Sequence, residues 1–129
     1  MVAPYFPQQG DIVLLNFNPQ AGHEQQGTRP ALVASNPVFH QLTKLAIVCP
    51  ITSVDRGFPL HVRLDSRTKT RGVVMCEQAK SLDVNARGVV FVERAPREVA
   101  DEVSDVLVGS VERLQGWGYT AEDHLKTTP

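Results

Sequence analysis

No apolar stretch in this chain runs longer than five residues, Leu45 to Cys49, before a proline, a glycine or a polar residue interrupts it. Nine prolines and nine glycines are spread along the sequence. Runs this short cannot cross a bilayer as a helix, which needs about 20 apolar residues. They suit buried strands of about 4–8 residues separated by turns. The spacing predicts strands over Asp11–Phe17, Pro30–Ser35, Leu45–Cys49, Leu60–Leu64, Gly72–Cys76 and Gly88–Val92, with the third strand stopping at Pro50. Val38 to Thr43 fits a short helical turn, and Glu77 to Arg87 is mixed. Pro96 opens the one convincing long helix, in which Val99, Val103, Val106, Leu107 and Leu114 form an apolar stripe that packs on the sheet. The pattern predicts a small, bent sheet or barrel covered by one late helix.

At 129 residues and 14.2 kDa the chain fits a single domain, residues 1–115, followed by a short polar tail, 116–129. The N-terminus, MVAPYFPQQGD, has neither a basic nor an apolar signal region, so no signal peptide is expected. Cys49 and Cys76 sit in apolar strand-like stretches with no CxxC pair, which reads as two buried free thiols in a reducing, cytoplasmic setting. The net charge of −1 hides an asymmetry: residues 1–92 carry nine Lys/Arg against six Asp/Glu, and residues 93–129 carry four against eight. Arg56, Arg63, Arg67, Lys69 and Arg71 crowd one stretch. That is compatible with an anionic ligand and equally with a solvated basic hairpin.

P-loop, GxGxxG, HExxH and GxSxG motifs are absent, and His, Cys and carboxylates nowhere fall at metal-ligand spacing. No metal or other cofactor is expected. What remains is a polar set on two loops. The first offers His23, Glu24, Gln25, Gln26, Thr28 and Arg29; the second offers Thr52, Ser53, Asp55 and Arg56. If the second and third strands are antiparallel neighbours, Arg29 and Thr52 lie at the same sheet end, within reach of one phosphate. A guanidinium suits that task, because its planar fork matches two phosphate oxygens and keeps its charge. Arg29 equally fits a loop-stapling ion pair with Glu24.

The stretch GDIVLLNFNPQAGHEQQGTRPALVAS, residues 10–35, closely resembles the opening of the MazF/PemK family of toxin endoribonucleases, with Gly10, Asp11, Phe17, Pro19, Gly22, Glu24, Gln25, Gly27, Arg29 and Pro30 all matching its motif. The resemblance continues through CPITS (49–53), GFPLHVRL (57–64) and GVVMCEQAKSLDVNARG (72–88), and covers about residues 5–114. It implies a mainly β fold, a compact SH3-like barrel with inserted loops and a C-terminal helix, acting as a homodimer. It implies cleavage of single-stranded RNA, often mRNA, and inhibition by a cognate antitoxin whose acidic, partly disordered segment lies across the RNA groove. Arg29 and Thr52 match the family's leading catalytic residues, and Glu24 matches a glutamate important in some members. Some related toxins rely on an Arg/Asp/His set in shifted positions, which leaves His23, Asp55 and Arg56 as weaker candidates. Gln78, Lys80 and Ser81 match the block lining the RNA groove, and a plain surface turn explains them nearly as well. Gln25, Thr28 and Ser53 complete the implied RNA-binding set, with Phe58 as the candidate for stacking on a base or, alternatively, as a core residue. Two rival readings share the fold: a non-enzymatic toxin that inhibits DNA gyrase, and a degenerate member that binds RNA without cutting it.

Overall fold

A computed structural model describes residues 3–18 and 27–114. Among these residues seven strands form, β1 (Asp11–Asn16), β2 (Thr28–Val33), β3 (Ala46–Thr52), β4 (His61–Arg63), β5 (Val73–Met75), β6 (Lys80–Leu82) and β7 (Val90–Arg94). Helix α1 (Pro37–Thr43) links β2 to β3, and α2 (Arg97–Val111) follows β7. The strands are hydrogen-bonded in the order β4-β5-β3-β2-β1-β7, with β6 pairing to β3 off this path, and every pairing is antiparallel. The mainly β class holds, as an open sheet rather than a closed barrel, since the end strands β4 and β7 are not paired with each other.

Alternation along the strands builds two cores, one on each face. Ile12, Leu32, Cys49, Ile51, Val62 and Val74 pack with Val99 and Val103 of α2. Val13, Leu15, Phe17, Ala31, Val33 and Val48 form the other cluster with Ala46 and Val84. Burying a valine such as Val103 contributes about 1.5–3 kcal/mol, which is what fixes the late helix on the sheet. The stripe ends at Leu107, however. Val108 and Val111 are exposed, and Leu114 lies beyond the helix and is 40% exposed, because the last turns of α2 run past the sheet.

The third strand does not stop at Pro50 but continues to Thr52. Pro50 pairs with Ala31 of β2, and without an N–H it can do so only at a non-hydrogen-bonded position. Its nitrogen therefore faces the outer edge of β3. There β6 pairs over Ala46–Val48 and β5 over Ile51–Thr52, so proline sits in the gap between two partners, where a missing donor costs least. The mixed segment after Glu77 contains a 3-10 turn, Cys76–Gln78, and then β6, too short to show a period. The last strand lies at Val90–Arg94 rather than 88–92, because Val84, Asn85, Arg87 and Val89 close a turn before it.

The Gly10-Asp11 pair anchors the start of the chain. Gly10, at φ 91°, donates to Val33 O and accepts from Ala95 N–H, tying the first strand to β2 and to the entry of α2. The buried Asp11 carboxylate accepts from the Tyr5 hydroxyl and from Gln8 N–H. No helix among the described residues is long and apolar enough to cross a membrane. The tail 116–129 lies outside the described residues.

Candidate active site

Arg29 is the second residue of β2, and Thr52 is the last of β3. These strands pair with Ala31 opposite Pro50, Leu32 opposite Cys49 and Val33 opposite Val48. Carried two residues toward the loops, the register sets Arg29 opposite Thr52. The pair has the same parity as Ala31–Pro50 and is therefore of the non-hydrogen-bonded kind, in which Cα atoms approach to about 4.5 Å and side chains lie closest. Both residues are half-buried, on the face of the Val13–Leu15–Val33 cluster and just past its rim. The neighbour relation of the second and third strands thus puts a guanidinium and a hydroxyl at one sheet end.

The surroundings fix the hydroxyl. Thr52 Oγ1 accepts the Val54 N–H at 3.3 Å, so its own proton is left to donate outward. Behind it, Gly72 (φ 116°) lies against the Thr52 carbonyl, where a Cβ would meet the oxygen at 1.9 Å. The base of the first loop is also closed: Phe17 N–H donates to Gly27 O, and Gly27 N–H donates to Asn18 Oδ1 at 3.0 Å. Arg87 braces this root, its Nη1 donating to the carbonyls of Asn16 and Asn18 at 3.4 and 3.3 Å.

The same row of the sheet extends outward. Thr52 stands opposite Val73, and Val73 opposite Arg63. Arg63 is three strands from Arg29, roughly 14 Å by the usual strand spacing. Its Nε donates to Asp55 Oδ2 at 2.6 Å, while Asp55 Oδ1 accepts the Gly57 N–H at 2.8 Å. The Gly57 N–H, and then the Arg63 bond, hold the Asp55 carboxyl below its ordinary range. Phe58, 44% exposed, packs edge-on against the His61 ring at 5.1 Å. Asp55, Phe58, His61 and Arg63 line a cavity of about 270 Å³ with Glu102 of α2. Its walls do not include Arg29 or Thr52; it flanks them through the Arg63–Val73–Thr52 row. Phe58 is therefore a wall residue and not core.

The other sequence-derived candidates spread around this centre. Thr28, opposite Asn16, and Ser53 and Arg56 in the second loop are exposed. Gln78 is half-buried, with Nε2 3.7 Å from Met75 Sδ. Lys80 and Ser81 stand opposite Val48 and Ile47, at the far end of β3 from Thr52. Lys80 shares the face of the Arg29–Thr52 pair, and Ser81 is on the other. His23, Glu24 and Gln25 lie outside the described residues, so the expectation that Glu24 pairs with Arg29 falls outside them too. In the basic stretch, Arg63 pairs with Asp55, and Arg67 pairs with Asp65 at 2.8 Å and Glu98 at 3.4 Å, so part of that charge is neutralised locally. Sequence reading passed over Gly72 and Arg87 as positioning residues. Their signal was a glycine opening an apolar run and an arginine in a polar turn, neither of which reveals a partner distant in sequence.

A profile of the PemK-like, MazF-like toxins of type II toxin–antitoxin systems matches residues 8–110. The chain belongs to this PemK/MazF toxin family. Among the family's toxins, Endoribonuclease PemK of Escherichia coli is 41% identical over 100 residues, covering 74% of this chain and 75% of that protein. The crystal structure of MazF (Form-I) from Deinococcus radiodurans superposes with a TM-score of 0.78 at 40% identity, covering 84% of this chain and 99% of that one. The MazE–MazF crystal structure (Form-II) from the same organism gives a TM-score of 0.74 at 40% identity, covering 85% and 99%.

Proposed function

We propose that this chain is the toxin of a type II toxin–antitoxin pair and an endoribonuclease that cuts single-stranded RNA, mRNA in particular, without a metal ion. The observation that carries the reading is the register that sets Arg29 beside Thr52 across β2 and β3. RNA brings its own nucleophile. The 2′-OH attacks phosphorus in line, the 5′-oxygen leaves, and the products are a 2′,3′-cyclic phosphate and a 5′-OH. Arg29 stabilises the charge growing on the phosphoryl oxygens, and Thr52 donates its hydroxyl proton to one of them, fixing orientation. Glu24 takes the 2′-OH proton or orients Arg29. Thr28, Ser53, Arg56 and the Phe58 wall contact the flanking nucleotides, joined by His23, Gln25, Gln78 and Lys80, whereas Ser81 faces the other side of the sheet and drops out of this set.

The partner reading follows from the same groove. A cognate antitoxin with an acidic, partly disordered segment occupies the arginine-bearing face that otherwise binds RNA. The toxin works in the cytoplasm as a homodimer. Exposed Val90, Phe91 and Val92 on β7, and Val38, Leu42, Val108 and Val111 on the helices, supply apolar surface for a second copy to cover. The deciding experiment incubates the pure protein with a long single-stranded RNA in EDTA and sequences the 5′ ends. Discrete fragments with 5′-OH ends are expected. Intact RNA together with inhibited gyrase supercoiling would select the inhibitor, and RNA binding without scission the degenerate member.

A further inference from the structure

Cys49 and Cys76 are the only two cysteines in the chain, both free, with exposures of 0% and 2%. β3 and β5 pair with Ile51 opposite Val74 and Thr52 opposite Val73. Two residues further, the register sets Cys49 opposite Cys76, where β5 passes into the 3-10 turn. Both side chains belong to the same core cluster, and the Cys76 thiol donates to the Val74 carbonyl at 3.9 Å. We propose that Cys49 and Cys76 form a reversible redox pair, closed to an intrachain disulfide by a peroxide, and that closing it displaces Thr52 and slows RNA cleavage.

Geometry allows the bond with little movement. Since the Pro50 nitrogen faces this edge of β3, Ile51–Val74 is a non-hydrogen-bonded pair, a kind in which Cα atoms stand about 4.5 Å apart, and Cys49 and Cys76 have the same parity where β5 passes into the turn. Disulfides form at Cα separations of about 4.4–6.8 Å and Cβ separations of about 3.5–4.5 Å. Cβ atoms of facing residues normally stand about 4.5–5.5 Å apart, so the strands must close slightly. That strain makes the bond reducible, as expected of a regulatory disulfide and not a structural one.

The thiols are also differentiated. The neighbouring Cys49 thiol lowers the Cys76 thiol against the opposing effect of burial. The Cys76 thiol, and then burial, pushes Cys49 up. Cys76 is thus the nucleophile and Cys49 the resolving thiol. The Cys76 thiolate attacks one peroxide oxygen. The O–O bond breaks, the departing hydroxide takes up a proton as water, and a sulfenic acid remains. Cys49 sulfur then attacks Cys76 sulfur. An S–S bond forms, the S–O bond breaks, and the hydroxyl leaves with the Cys49 proton as a second water. Two thiols lose two electrons, and one peroxide gains them. Glu77, adjacent to Cys76, is exposed, so the pair lies one residue from the surface at the end of β5, and the proposal has peroxide enter by local opening there.

The functional consequence rests on the endoribonuclease reading above. Cys49 is three residues before Thr52 on one strand, and Gly72 leaves the Thr52 backbone no slack. Misplacing a positioning group by about 1 Å can cost on the order of 10²-fold in rate.

The test treats the full-length protein with hydrogen peroxide, counts thiols in denaturant and takes its mass without reductant. The count should fall from two to none, with the mass of two hydrogens lost and no covalent dimer. Dithiothreitol should restore both thiols. RNA cleavage should fall about tenfold or more on oxidation and return on reduction. Cys49→Ser and Cys49→Ala should cleave normally and resist peroxide. Two thiols surviving treatment, or a disulfide only between chains, overturns the pair. An intrachain disulfide with undiminished cleavage overturns its regulatory role. If the reduced protein cuts no RNA, the function proposed above fails and the coupling to cleavage fails with it, while the thiol count still decides whether the pair closes.

Discussion

Gly72 lies so close to Thr52 that a methyl group on its Cα would stand 1.9 Å from the Thr52 carbonyl oxygen and 2.7 Å from its carbon. Its φ of 116° is also a backbone conformation that residues with a Cβ avoid. The glycine therefore sets the depth at which Thr52 sits. Gly72→Ala should cost about 1–3 kcal/mol from backbone strain alone, and more from the clash. Thermal unfolding would show the loss. Cleavage by the protein that remains folded should fall on the order of 10²-fold, since Thr52 must retreat.

The hydroxyl of Thr52 separates chemistry from scaffold. Thr52→Val keeps the shape and removes the donor. Among the described residues its hydroxyl makes one bond, accepting the exposed Val54 N–H, which water can replace, so stability should change by about 1 kcal/mol or less. Cleavage should fall about 10²–10³-fold. Thr52→Ser should retain most activity. Equal cleavage by the valine and serine variants would remove the hydroxyl from the mechanism.

Asp55 ties the second loop together through the Gly57 N–H and the Arg63 guanidinium, which lower its pKa from the ordinary 3.8. Because the folded value is the lower one, this clip is fully present above the ordinary aspartate pKa and is lost as pH falls through the lowered value. A carboxyl-carbon NMR titration should place the Asp55 midpoint below 3.8. Arg63→Gln should move it part of the way back, because the Gly57 bond remains. A midpoint at or above 3.8 in the native protein would show the clip to be absent.

Asp11 carries the N-terminal segment. It is 4% exposed and accepts from Tyr5 and Gln8. Asp11→Ala strands both donors, and should lower stability by about 1–3 kcal/mol with its urea midpoint, leaving the cleavage pattern of the folded fraction intact.

Much of this was legible from residue patterns because strands and the helix stripe announce themselves locally. Alternation around Leu60–Leu64 and the Val99–Val103–Leu107 stripe point to their buried faces without a partner. The placement of Arg29 and Thr52 followed from assuming that consecutive strands pair antiparallel. Three features were not legible. Pro50 reads as a strand terminator unless β6 and β5 are known to leave a gap beside it. The three residues of β6 carry too little pattern to separate strand from turn. Gly72 and Arg87 act on backbone atoms of Thr52 and of Asn16 and Asn18, far away in sequence, so nothing near them records their role.

The most direct test is a double-mutant cycle on cleavage of one single-stranded RNA in EDTA, comparing the native protein with Arg29→Ala, Thr52→Ala and the combined variant, with folding checked by circular dichroism. If the guanidinium and the hydroxyl serve one phosphate, each single change should fold normally and cut far more slowly. The combined loss should then fall well short of the product of the two. Native-level cleavage by either single variant, or losses that multiply in full, would contradict the account.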